Sequence, residues 1–207
     1  MYKKCRINGN KLIFLRLTAL IFITILLLSF SGCSSSKQID KASLANMITA
    51  DKKNGKTFYS FYILEESEEV NCVEVQAKNF ENAYSLAKEK YIPNLSLAKL
   101  EFFVMNENIY KTNLKKDISY ISQQSFISPK IKVSLSDANT MKFIAKTKDA
   151  SKKINEHIIL LKNKNNYVCI DALGIFNNYN SLKDKYFLVS YIKSKNDIEA
   201  VTKNIYL

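Results

Sequence analysis

The residue whose surroundings most clearly specify a reaction is Cys33. Five basic residues (Lys3, Lys4, Arg6, Lys11, Arg16) and no acid precede an uncharged run that starts at Leu17 and ends in Phe30-Ser31-Gly32-Cys33, followed by three serines. A basic n-region, an apolar h-region and small residues before a cut make a secretory signal. A Cys directly after Ser31-Gly32 completes a bacterial lipobox formed by Phe30, Ser31, Gly32 and Cys33. The implied chemistry is transfer of a diacylglycerol to the Cys33 thiol, cleavage before that residue, and a mature chain that begins there. A retained helix is the competing reading, because Leu17 to Ser36 is twenty uncharged residues, long enough to cross a bilayer. The strongly apolar part stops at Phe30, which favours the cut. Both readings place the N-terminus inside and the remaining chain on the extracytoplasmic side, attached to the membrane.

Other chemistry-bearing residues are sparse. His157 is the only histidine. Zinc sites of the usual His and Cys composition need several such ligands, so no metal site is expected. A Ser–His–Asp triad would have to use His157, which sits beside an apolar run, and there is no Gly-x-Ser-x-Gly elbow. No catalytic residue is assigned. A carboxylate pair for glycoside cleavage would assemble in space, and nothing local singles one out. Glu65, Glu66, Glu68 and Glu69 cluster, but without the spacing or the glycine of a calcium loop, and read as a solvated connection. Of the four cysteines, Cys5 leaves with the signal and Cys33 takes the lipid. Cys72 and Cys169 remain in an oxidation-permissive compartment, either as a disulfide or as two separately buried thiols.

The charge bounds the partners. The formal net charge is +12, of which +5 lies in the removed segment, leaving +7 on the 175 residues from Cys33 to Leu207. Both arginines, Arg6 and Arg16, lie in that segment. Bidentate readout of guanine and phosphate favours Arg, so nucleic acid is excluded as an expected partner. The lysines suit an anionic membrane surface or anionic wall polymers. Only Gly55 and Gly174, Pro93 and Pro129 remain as breakers. A Gly-rich phosphate loop is excluded, and a folded domain is expected after the polar tether of residues 33–41.

Patterning predicts the elements. Leu44 to Ala50 and Thr57 to Leu64 read as strands around Asn54-Gly55, a pair that tolerates positive φ. Val70 to Ala77 is a third strand. Asn79 caps a helix whose Phe80, Ala83, Tyr84, Ala87 and Tyr91 make a core stripe, with Pro93 past its end. Ala98 to Met105 is almost wholly apolar and reads as a central strand. Asn106 to Gln124 reads as a helix with Ile109, Tyr110, Leu114, Ile118 and Ile121 inward. Ile131 to Leu135 is a strand, and Ser136 to Ala145 a helix with Met141 and Ile144 inward. Asp149 to Asn155 reads as a polar junction. His157 to Leu161, Tyr167 to Phe176 and Tyr186 to Ile192 read as strands, with a turn at Lys162 to Asn166. Helix over Ser151 to Leu161 competes, since Ile154, Ile158 and Leu161 share a face. The expected class is α+β: a mixed β-sheet with helices packed on it in residues 42–150, plus a small, partial, strand-rich C-terminal subdomain in 151–207.

This order, joined to the lipobox, resembles the C-subunit lipoproteins of nutrient germinant receptors in spore-forming Gram-positive bacteria, the Ger(x)C family. The matching segments are SLANMITADKKNGKTFYSFYIL, with Ala50-Asp51-Lys52 at the turn; VEVQAKNFENAYSLAKEKYIPNLSLAKLEFFVM, with Phe80, Ala83 and Leu95 to Leu100; SFISPKIKVSLSDANTMKFI; and NNYVCIDALGIFNNYNSL. The chain resembles a short, divergent member. The family pattern has Gly where Ala50 stands and His where Lys99 stands, and its members continue into a large further domain. The resemblance implies a non-enzymatic subunit that assists receptor assembly or signalling in nutrient-triggered germination. It also implies integral-membrane receptor subunits as partners, the cell membrane or spore inner membrane as location, and no cofactor beyond the covalent diacylglycerol on Cys33. The alternatives are a lipid-anchored extracytoplasmic protein binding a small ligand or wall polymer, and an extracytoplasmic hydrolase.

Overall fold

The computed structural model describes residues 42–64, 71–163, 171–180, 186–194 and 197–206. Residues 42–207 form one compact unit. Its strands are β1 (Ser43–Lys53), β2 (Lys56–Ile63), β3 (Cys72–Gln76), β4 (Leu95–Ser96), β5 (Phe102–Asn106), β6 (Lys132–Ser136), β7 (Tyr186–Ser194) and β8 (Ile198–Tyr206). Its helices are α1 (Phe80–Lys90), α2 (Tyr110–Gln123), α3 (Ala138–Ile144), α4 (Ala150–Asn163) and α5 (Ala172–Asn180).

The strands form one mixed sheet in the order β3-β2-β1-β5-β6-β7-β8, with β4 pairing the start of β1. β1, β5, β6 and β7 run parallel, while β2 and β8 are antiparallel to their neighbours. The β1–β2 hairpin closes on Asn54 (φ 51°) and Gly55 (φ 79°), the left-handed pair a two-residue turn requires. β5 is buried along its whole length, as the apolar run from Phe102 to Met105 predicts for a central parallel strand.

Both faces of the sheet are covered. On one, α1, α2 and α5 bury Phe80, Ala83, Leu114, Ile118, Ile121 and Ile175 against Ile48, Tyr59, Phe61, Phe103 and Val133. On the other, α3 and α4 bury Met141, Ile144, Ile154 and Ile158 against Met47, Phe102, Val104 and Ile192. A bulge between Ala45 and Met47 shifts the alternation of β1, so that Ala45 shares a core with Ile48 and Ala50 while Met47 enters the other. Asn79 and Asp137 cap α1 and α3 through the N–H groups of Asn82 and Thr140.

Five expectations are corrected. Asp149 to Asn155 is not a junction, and His157 to Leu161 is not a strand: both fall in or against α4. Ile154 and Ile158, four apart, pack as one helical face, so the competing helix is the observed one. Within Tyr167 to Phe176, residues 167–170 lie outside the described residues, and Ala172 onward is helical, turned by the Asp171 carboxylate, which accepts from the Gly174 N–H at 2.8 Å. Tyr91 closes α1 but is 57% exposed and leaves the core stripe. Residues 151–207 do not form a partial second domain, because β7 pairs with β6 and β8 with β7, extending the same sheet. Two boundaries also shift: β5 begins at Phe102, after a turn, and α2 begins at Tyr110.

Candidate functional site

Parallel strands deliver their carboxyl ends to one edge of a sheet, where polar residues leaving the strands meet. Here Asp51 from β1, Asn106 from β5, Ser136 from β6 and Ser194 from β7 gather in that way. Asn106 is buried, and its Nδ2 donates to Asp51 Oδ1 at 2.6 Å. The Lys52 N–H donates to the same oxygen at 2.8 Å, and Asn106 Oδ1 accepts from the Asn108 N–H at 2.8 Å. Ser136 donates to the Ile192 carbonyl at 3.1 Å. Thr140 links α3 to β7: its hydroxyl donates to Asp137 Oδ2 at 3.0 Å and accepts from the Ser194 N–H at 3.0 Å. Burial opposes the Asp137 charge, yet the Thr140 N–H and hydroxyl hold its carboxyl below the ordinary range. Lys203 of β8 pairs with Glu107 at 2.7 Å and lies 4.3 Å from the Tyr191 ring centroid. These polar groups are engaged with one another: Asn106 ties β5 to β1, Ser136 ties β6 to β7, and Thr140 ties α3 to β7.

Beside this edge, α3 leaves part of the sheet open. A groove of about 140 Å³ runs between β1–β2–β3 and α3. Its floor carries the hydroxyls of Thr49, Ser60 and Tyr62. Asp51, Lys53 and Glu74 line the sheet side, and Lys142 and Lys146, one turn apart, line the helix side. Lys53 and Glu74 form an ion pair, and Ser60 donates to Glu74 at 3.3 Å. Burial pushes the Tyr62 hydroxyl well above its ordinary pKa. This lining of mixed charge could hold a small polar molecule.

The most buried charge lies on the opposite face. Asp117 of α2 is fully buried. Its Oδ2 accepts from the Tyr59 hydroxyl at 2.8 Å, and its Oδ1 from the Phe80 N–H at 2.9 Å. Asn113 donates to Tyr59 Oη at 3.0 Å and to the Lys78 carbonyl at 2.9 Å. Burial raises Asp117 from 3.8 to about 6, against the pull of the Phe80 N–H and the Tyr59 hydroxyl. Burial, then the Asp117 charge, raises Tyr59 strongly. The network locks the start of α1 onto α2 and β2. Sequence reading missed it, although Asn113 and Asp117, four apart, flank the stripe of Leu114, Ile118 and Ile121.

Phe30, Ser31, Gly32 and Cys33, read from the sequence as a lipobox, lie outside the described residues, as do Cys169 and the acidic cluster at 65–69. Cys72 is a half-buried free thiol on the edge strand β3, raised above its ordinary pKa by burial and then by Glu74. His157 is half-buried on α4. Among the described residues, no three metal-ligating side chains converge, and no helix is long and apolar enough to cross a membrane. The chain matches no protein-family model, no curated protein and no solved structure.

Proposed function

We propose that this chain is a lipid-anchored, extracytoplasmic and non-enzymatic docking subunit, of the type found as the C-subunit of spore germinant receptors. It acts by contact with integral-membrane partners in receptor assembly or signalling. The observation that carries this reading is the spacing of anchor and fold. β1 begins at Ser43, ten residues after Cys33, and lies in the interior of the sheet. Ten extended residues span about 35 Å at most, so a lipid on Cys33 confines the whole domain to a thin layer at the bilayer. Confinement raises its effective concentration for a membrane partner, and weak docking then suffices. The engagement of Asp51 with Asn106, of Asp137 in the cap of α3 and of Glu107 with Lys203 supports a structural use for those carboxylates.

Crosslinking in intact spore membranes tests the reading. The expected product joins this chain to an integral-membrane receptor subunit, and deletion slows the response to at least one nutrient while spore formation continues. Normal germination with every nutrient, together with no membrane-protein crosslink, would favour a second reading. That reading is a lipid-anchored small-ligand protein, and its support is the groove between β1–β3 and α3.

A further inference from the structure

Among the described residues six large apolar side chains are exposed: Leu64 just after β2, Ile159 and Leu160 on α4, and three that share one end of the sheet. Tyr91 (57% exposed), Phe126 (43%) and Leu173 (40%) all sit at the amino end of the parallel strands, the end at which the chain enters β1. Backbone pairing fixes this placement. Ser43 pairs with Leu95, and its N–H donates to the Asn94 carbonyl at 3.2 Å, three residues beyond Tyr91. The Lys132 N–H reaches Glu101 at the foot of β6, and the Leu173 N–H reaches Pro129 in the preceding loop at 3.0 Å. Phe126 follows α2 and stacks on Tyr84 of α1, their centroids 5.8 Å apart. Four exposed lysines, Lys88, Lys90, Lys99 and Lys130, surround these side chains, against two exposed acids, Glu89 and Glu101. A groove of about 480 Å³ between α1 and α2, lined by Tyr84, Lys88, Leu95 and Phe126 among others, opens here.

We infer that this end is a bilayer-contact face for an anionic lipid surface, which Tyr91, Phe126 and Leu173 enter while the four lysines meet the headgroups. Aromatic rings with one wet edge settle at the headgroup level, and lysine stems extend along apolar surface while their ammonium groups stay in water. Anionic leaflets attract such lysine clusters within a Debye length. The location of the patch at the foot of the tether selects the bilayer over other partners. The inference rests on lipid attachment at Cys33 and adds an orientation to it: the polar carboxyl edge of the sheet, with Asp51 and Asn106, points away from the membrane.

The chain contains no tryptophan, so one introduced residue reports its own surroundings. The full-length lipidated protein carrying Tyr91→Trp is reconstituted in vesicles of phosphatidylglycerol and phosphatidylcholine, with and without brominated acyl chains. A Tyr110→Trp protein serves as control, since Tyr110 opens α2 at the opposite end. Flotation with the vesicles reports the anchor, and quenching reports the face. Emission at position 91 is expected to fall about twofold with brominated lipid, and emission at position 110 by less than about a tenth. Replacing Lys88, Lys90, Lys99 and Lys130 with Gln, or using phosphatidylcholine alone, is expected to remove most of that quenching while flotation persists. Equal quenching at the two positions in floated protein overturns the bilayer face but leaves the anchor standing. Failure to float overturns the anchor on which the face depends. A Tyr91→Trp probe that stays wet in vesicles holding no other protein but is shielded in native membranes overturns the inference in favour of a protein partner.

Discussion

Asp117 Oδ2 accepts a hydrogen bond from the Tyr59 hydroxyl at 2.8 Å, and neither side chain reaches solvent. The pair joins α2 to β2 through the middle of the larger core, and the Phe80 N–H at the start of α1 completes it.

This buried carboxyl makes stability depend on pH in an unusual direction. Burial lifts Asp117 from 3.8 to about 6. Between those values the folded chain keeps a proton that the unfolded chain has released, so stability falls as pH rises. The contribution is fully present below about pH 4 and is lost through about pH 6, an effect of about 1–3 kcal/mol. Asp117→Asn keeps an acceptor for the Phe80 N–H and removes the titration. Urea midpoints at about pH 4 and about pH 7 should therefore differ less favourably for acid in the variant than in the wild type. Equal pH slopes in the two proteins would contradict the assignment.

Phe80 is fully buried and packs its ring against Phe61, Phe103 and Tyr120, with centroids 5.7 to 6.2 Å apart. Phe80→Ala is expected to cost about 3–5 kcal/mol, through lost transfer energy and the cavity left between α1 and the sheet. A thermal melt of the purified protein should show a large drop in midpoint. An unchanged midpoint would mean that α1 does not present this face.

Gly55 holds φ at +79°, and nothing lies within 4 Å of where its Cβ would be. Gly55→Ala therefore isolates backbone strain from steric conflict. A loss of about 1 kcal/mol is expected, measurable by chemical denaturation. A loss several times larger would show that the hairpin turn has neighbours beyond the described residues.

Much of this fold was legible because pattern and environment agree. The Asn54-Gly55 turn, the stripe of α1 from Phe80 to Ala87, the apolar β5 and the inward Met141 and Ile144 of α3 each read correctly from spacing. Reading failed where local composition fits two states. Ile158-Ile159-Leu160-Leu161 suits a buried strand as well as a helix. Only the burial of Ile154 with Ile158, and the exposure of Ile159 and Leu160, separates the two. β8 went unread because its apolar residues are interrupted by Thr202, Lys203 and Asn204, and an end strand needs less burial than a central one. Tyr91 continued the helical spacing of α1 by number, but the helix ends there and releases it to the surface. In the candidate site, Asp51 stands beside the hairpin turn, but its partner Asn106 comes from a strand fifty-five residues away. No local spacing encodes that encounter.

Location, confinement and docking all follow from lipid attachment at Cys33. Cells expressing the wild-type chain and the Cys33→Ala variant are labelled with an alkyne fatty-acid analogue, and membranes are separated before detection. The wild-type chain is expected to carry label in the membrane fraction at the size of the cleaved chain, and the variant to carry none and to keep its signal segment. Equal labelling of the two proteins, or an unlabelled wild-type chain, would contradict it.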